Sequence, residues 1–173
     1  MQSIKIVLFA LFASTGYGIV HDLVTAHICV EYFTIGHPPL IPSASPTLLA
    51  LAWGVVATWW VGLPLGVLLA VAARTGSRPK LTVVELRRPI MMLLLVMAGS
   101  GLTAGIVGGI LASRGMVWLT APLNDLIPPD RQVRFLIDLW VHSASYFVGL
   151  LGGLVLVAWT WRNRTRMPIV AAG

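Results

Sequence analysis

The chain has one cysteine, which excludes an internal disulfide and a zinc cage built on thiolates. Charge is also scarce. Charged residues make up 10% of 173 residues and only six are acidic, whereas hydrophobic residues make up 57% and the mean hydropathy is +0.87. A soluble domain of this length could not hide so much apolar surface, so an integral membrane protein is expected. The net charge of +6 does not point to nucleic acid. The basic residues lie in loops and a tail, without the aromatic interleaving that reads single strands. No internal repeat and no low-complexity linker divides the chain, and its length suits one domain.

Long apolar runs are plentiful. A hydrocarbon core about 30 Å thick needs roughly 20 apolar residues in a helix. Runs over 4–20, 47–73, 89–112 and 135–161 predict an all-α fold, a four-helix transmembrane bundle in one domain. The first run also has the short apolar centre and the small residues of a cleavable signal, which would leave three spans. Ser45-Pro46 opens the second run as an N-cap followed by proline at the first helical position. Pro64 is expected to kink that run, and Arg88-Pro89 to open the third. The tryptophans mostly fall near predicted span ends, where indole rings favour the interface.

Positive residues stay on the cytoplasmic side of a membrane. Arg74, Arg78, Lys80, Arg87 and Arg88 face a single Glu85 between runs two and three, and Arg162, Arg164 and Arg166 follow run four. Both segments and the C-terminus are therefore expected in the cytoplasm of a multi-pass inner-membrane protein. Segments 21–46 and 113–134 are then expected in the periplasm.

On that outer side lies an unusual concentration. Between Gly18 and Pro39 stand three of the four histidines, the acids Asp22 and Glu31 and the single Cys29, with no Lys or Arg. Span four begins on the same side with Asp138 and His142, four apart and so on one helix face. Ionisable groups inside a membrane usually face the protein interior and mark function. The leading candidate site is His21, Asp22, Glu31 and His142, with Asp138 and His27 as second choices. Imidazoles and carboxylates without thiolates suit iron, zinc or manganese.

Two features argue against an over-simple metal site. His21 and Asp22 diverge by about 100° on a helix, and on a continuous helix Asp22 and Glu31 point opposite ways, so convergence of all four groups needs a break near Thr25 or Gly36. The spacing is neither HExxH nor ExxH. His37 is expected to be a loop residue, Cys29 a buried filler, and Tyr17 and Tyr32 interface anchors able to donate to the cluster. A conduction path is not expected, because the cytoplasmic halves of the spans offer little beyond Thr58, Ser100 and Thr103.

The string YGIVHDLVTAHICVEYFTIGHPP, Tyr17 to Pro39, resembles a motif of small, uncharacterised bacterial inner-membrane proteins, in which it likewise follows the first apolar segment. His21, Asp22, Glu31 and His37 fall on its polar positions. The resemblance implies a bacterial membrane protein and no particular activity.

Two functions fit. One is a periplasm-facing His/carboxylate site holding a transition metal or acting as an acid/base cluster. The other is an accessory subunit of a larger membrane complex, in which the cluster only ties helices together. The glycine stripes Gly101, Gly105, Gly109 and Gly149, Gly152, Gly153 motivate the second, since they could pack spans of this chain, a second copy or a partner subunit.

Overall fold

The computed structural model describes residues 1–166, with side chains through residue 164. The Arg166 side chain and the C-terminus, both used above to orient the chain, lie outside the described residues. The described elements are α1 (Gln2–Ile28), α2 (Val30–Thr34), α3 (Pro46–Val56), α4 (Trp59–Arg74), α5 (Val83–Ser113), α6 (Leu123–Leu126) and α7 (Gln132–Arg166). Among the described residues there is no strand, and α1, the α3–α4 pair, α5 and α7 are each long and apolar enough to cross a membrane. The chain is thus the expected all-α bundle.

Helix α1 runs eight residues past the apolar stretch that suggested it, because HDLVTAHI contains neither glycine nor proline and nothing in it stops a helix. His21 and Asp22 therefore sit inside the first long helix and not on an outer loop. The ladder breaks at Cys29, which is extended at φ −149° and ψ 96°, and the chain turns directly into α2.

The second crossing is also interrupted, but not at Pro64. The break falls at Ala57–Thr58, between α3 and α4, while Pro64 lies within α4. There the Thr58 hydroxyl donates to the Gly54 carbonyl one turn back, a bond that competes with the ladder and bends helices. Ser45 does cap α3, accepting from the Leu48 N–H, with Pro46 following it. Helix α5 begins at Val83, ahead of Arg88-Pro89. A capping box starts it: the Thr82 N–H donates to Glu85 Oε2 at 2.7 Å, and the Thr82 side chain accepts from the third helical N–H.

Small residues set how closely the crossings approach. A Cβ on Gly54 would lie 2.5 Å from the Cα of Ile19, so α1 and α3 touch backbone to backbone. The glycines of α5 receive α7: a Cβ on Gly108 would meet Trp140 Cγ at 2.6 Å, and one on Gly101 would meet Ser145 Oγ at 2.7 Å. Gly149 faces Met97, Gly152 faces Leu93, and Gly153 faces Leu65. Both glycine stripes are thus occupied by contacts within one chain.

The bundle has two packed cores. One, at the end where α1 stops and α7 starts, contains Tyr32, Phe33, Leu49, Ile127 and Phe135. The other, at the far end, contains Ile6, Leu69, Leu81, Leu86 and Ile90. Between them lies a polar cluster, and below it a cavity.

Candidate functional site

The cluster is built by α1 and α7. His21 and Asp22 project from α1 and His142 from α7, and one ligating atom of each lies within 4.8 Å of the others. The meeting is made by side chains reaching across, because α1 packs mainly on α3 and α4 and α7 mainly on α5. Asp22 and His142 are each 4% exposed.

The hydrogen bonds fix how the imidazoles are used. His142 Nδ1 lies 2.8 Å from the backbone carbonyl of Asp138. A carbonyl only accepts, so the ring proton belongs on Nδ1, and Nε2 presents a lone pair. That Nε2 faces Asp22 Oδ1 at 3.3 Å. Two acceptors face each other unless a cation, either a proton or a metal ion, lies between them. His21 repeats the arrangement less tightly. Its Nδ1 lies 3.4 Å from the Tyr17 hydroxyl, which is itself 3.2 Å from Ser145 Oγ. The two rings meet edge to face, with centroids 4.6 Å apart at 85°. Imidazoles that ligate metals typically give their other N–H to a carbonyl or a similar acceptor, which sets tautomer and orientation.

Metal geometry can be compared directly. Ligands about 2.1 Å from a tetrahedral ion stand about 3.4 Å from one another. The His142–Asp22 separation of 3.3 Å has that value already, and the 4.8 Å limit on the group means that His21 has at most a short inward movement to make.

The other expected members do not join. Glu31 lies on α2, beyond the break, where it accepts from Cys29 Sγ at 3.3 Å and pairs with Arg131 at 3.6 Å. The break falls at Cys29, after Asp22 and before Glu31, so it carries Glu31 away from the cluster. His27 is exposed, with Nδ1 2.7 Å from the Leu23 carbonyl. The Asp138 side chain is wholly buried, and neither of its oxygens has a hydrogen-bond partner, while its backbone carbonyl holds His142. Cys29 behaves as a filler: burial first, then its bond to Glu31, pushes its thiol up to about 12, and it stands outside the His21, Asp22 and His142 group.

Several contributors were weaker signals in the sequence. Tyr32, on α2, stacks on His142 with centroids 4.4 Å apart at 26°, and Phe33 meets the same ring edge-on at 5.8 Å. Burial first, then Tyr146, Asp138 and Asp22, raises the Tyr32 phenol above its usual range, so it stays neutral. Tyr146 and Trp53 went unremarked as site residues, because an aromatic on an apolar helix carries no distinguishing mark. The Trp53 Nε1 donor is buried without a partner.

Two openings meet here. A cleft of about 230 Å³ is lined by Tyr32, His37, Trp53, Trp60, His142 and Tyr146. A second cavity of about 110 Å³ runs from His21 and Asp22 into the bundle between α1, α4, α5 and α7, reaching Ala10, Leu69 and Val157. Asp22, Ala57 and Tyr146 line both. Compared with family models, curated proteins and solved structures, the chain matches none.

Proposed function

We propose that the chain is an integral protein of a bacterial inner membrane that binds a transition metal through His21, Asp22 and His142. Two imidazoles and one carboxylate with open positions form the donor set of non-haem iron(II) centres and, with zinc, of hydrolytic ones. The observation that carries the reading is the lone pair of His142 Nε2, aimed at Asp22 while Nδ1 is tied to a backbone carbonyl. Iron fits the donor set best, with zinc and manganese next. The basic segment between α4 and α5 belongs on the cytoplasmic side, which puts the site near the periplasmic face.

Metal analysis of the protein purified in detergent tests this. About one ion per chain is expected in the wild type, with a loss in His142→Ala and in His21→Ala. Wild-type preparations without stoichiometric metal, after growth with iron, zinc and manganese in turn, overturn the reading.

That result would favour the second function, in which a protonated His142 and Asp22 form an ion pair joining α1 to α7. The 3.3 Å contact is the observation on its side. The glycine stripes no longer support an accessory subunit, because this chain's own helices fill them.

A further inference from the structure

The apolar cavity gives the candidate centre a second kind of neighbour. Its walls are almost entirely apolar, from Leu65 on α4, Leu94 and Met97 on α5, and Gly149 and Leu150 on α7. Its polar residues gather toward the His21–Asp22 edge, with Tyr17, Thr58 and Ser145 beside it and Ser14 deeper along α1. Along α1 the lining extends from His21 down to Ala10. At 1.5 Å per residue that is about 16 Å, close to half of a ~30 Å hydrocarbon core and so to the depth of one leaflet. An apolar lining strung along that length of α1 suits a linear chain better than a compact ring system.

The mouth has the same character. Tyr146 and Leu150 on α7 are 45% and 53% exposed, and Trp60 on the cleft wall is 58% exposed, so both openings adjoin lipid-facing surface. The cleft beside the candidate metal-binding atoms carries polar groups the cavity lacks, His37 and His142 among its lining. Polar and apolar compartments thus meet at Asp22 and Tyr146 in the order of a lipid's head and tail.

We infer that the site takes a single-chain membrane amphiphile, its hydrocarbon tail lying in the cavity and its oxygen-bearing head reaching the His21/Asp22/His142 centre. The inference rests on the metal reading for what the head meets, and on the cavity alone for the tail. A carboxylate or hydroxyl head would take an open position on the metal. The ligand would arrive sideways through the bilayer, between α4 and α7.

The test uses the full chain in lipid nanodiscs with palmitic acid bearing a tail diazirine, activated by light and mapped by peptide mass spectrometry beside metal analysis. Labels are expected on Leu65, Leu94 and Met97, competed away by unlabelled palmitic acid. Leu94→Trp fills the cavity and should lose those labels while keeping its metal. Val61→Trp does the same from the opposite wall should Leu94→Trp not fold. His142→Ala should lose metal and keep the tail labels. Metal with labels spread evenly over lipid-facing residues such as Leu102, Ile106 and Val155 overturns the tail site. Cavity labels on a wild-type protein without metal retire the metal centre and leave the tail site standing.

Discussion

Two buried ionisable side chains on α7 have opposite surroundings. Arg164 and Asp138 are both 0% exposed. Arg164, at the far end, donates to four backbone carbonyls: Pro79 at 2.6 Å, Thr75 at 2.9 Å, Arg78 at 3.1 Å, and Ala72. Ala72 lies in the last turn of α4 and Thr75 is its C-cap, so the guanidinium closes a helix end whose carbonyls lack intrahelical partners and whose dipole favours a cation. Asp138, at the site end, has neither oxygen paired. A buried polar group left unpaired costs about 1–3 kcal/mol. A fold accepts such a cost more readily beside a functional site than in a joint, and Asp138 stands one turn from His142. The comparison separates a charge that holds the bundle together from a buried carboxyl that the bundle tolerates.

The largest effect should come from breaking the satisfied member. Arg164→Ala strands the Ala72, Thr75, Arg78 and Pro79 carbonyls together, and a loss of about 3–5 kcal/mol is expected, since hydrogen bonds to charged groups contribute roughly 1.5–3 kcal/mol each and do not add fully. Arg164→Lys should recover little, because an ammonium lacks the planar fork. Cys29, the single cysteine and 1% exposed, supplies the readout: a thiol-reactive dye reports unfolding on heating. Wild-type melting of Arg164→Ala would remove the structural half of the comparison.

Between the two ends, Gly54→Ala places a methyl against the α1 backbone at Ile19, which cannot move as a side chain can. A loss of about 1–3 kcal/mol is expected in the same assay. The unsatisfied member should respond with the opposite sign. Asp138→Leu removes an unpartnered carboxyl and keeps the backbone carbonyl that orients His142, so melting should rise by the equivalent of about 1–2 kcal/mol with metal content unchanged. A clear drop in stability would mean that Asp138 has a structural partner after all.

The last effect concerns pH, and at pH 9.0, where it is read, it is the smallest. The unfolded thiol titrates near 9.0 and the folded one near 12. Over that window the folded chain holds a proton that the unfolded chain has lost, so this contribution to stability is full below pH 9.0 and falls as pH rises toward 12. Alkylation of folded Cys29 should therefore stay slow at pH 9.0, where an unfolded control reacts fast. Equal rates would place the thiol on the surface.

Much of the fold was legible because apolar runs of bilayer length have few alternatives. Helix ends were less so. Hydropathy falls at His21 but helix propensity does not, so α1 continued to Ile28. The Thr82–Glu85 box started α5 ahead of its apolar run. The break in the second crossing falls at Ala57–Thr58, where the Thr58 hydroxyl bonds back to Gly54, and not at Pro64. At the site, residue types were readable and partners were not. His21, Asp22 and His142 meet by reaching between α1 and α7, a tertiary placement that the sequence does not show, whereas Glu31 is turned away by a single extended residue at Cys29. Arg164 looked like one more tail charge beside Arg162 and Arg166, and nothing in its spacing marked it as the member turned inward.

The early start of α5 has one more consequence. Its 31 residues make a rod about 46 Å long, well beyond the ~30 Å of hydrocarbon it has to cross. The surplus carries the exposed Arg87 and Arg88 on rigid helix near its first turn and not on a loose strand. In a bilayer, two arginines fixed at headgroup level would act as a depth stop, limiting how far the molecule could slide or tilt and keeping the imidazoles at the opposite end at a constant height.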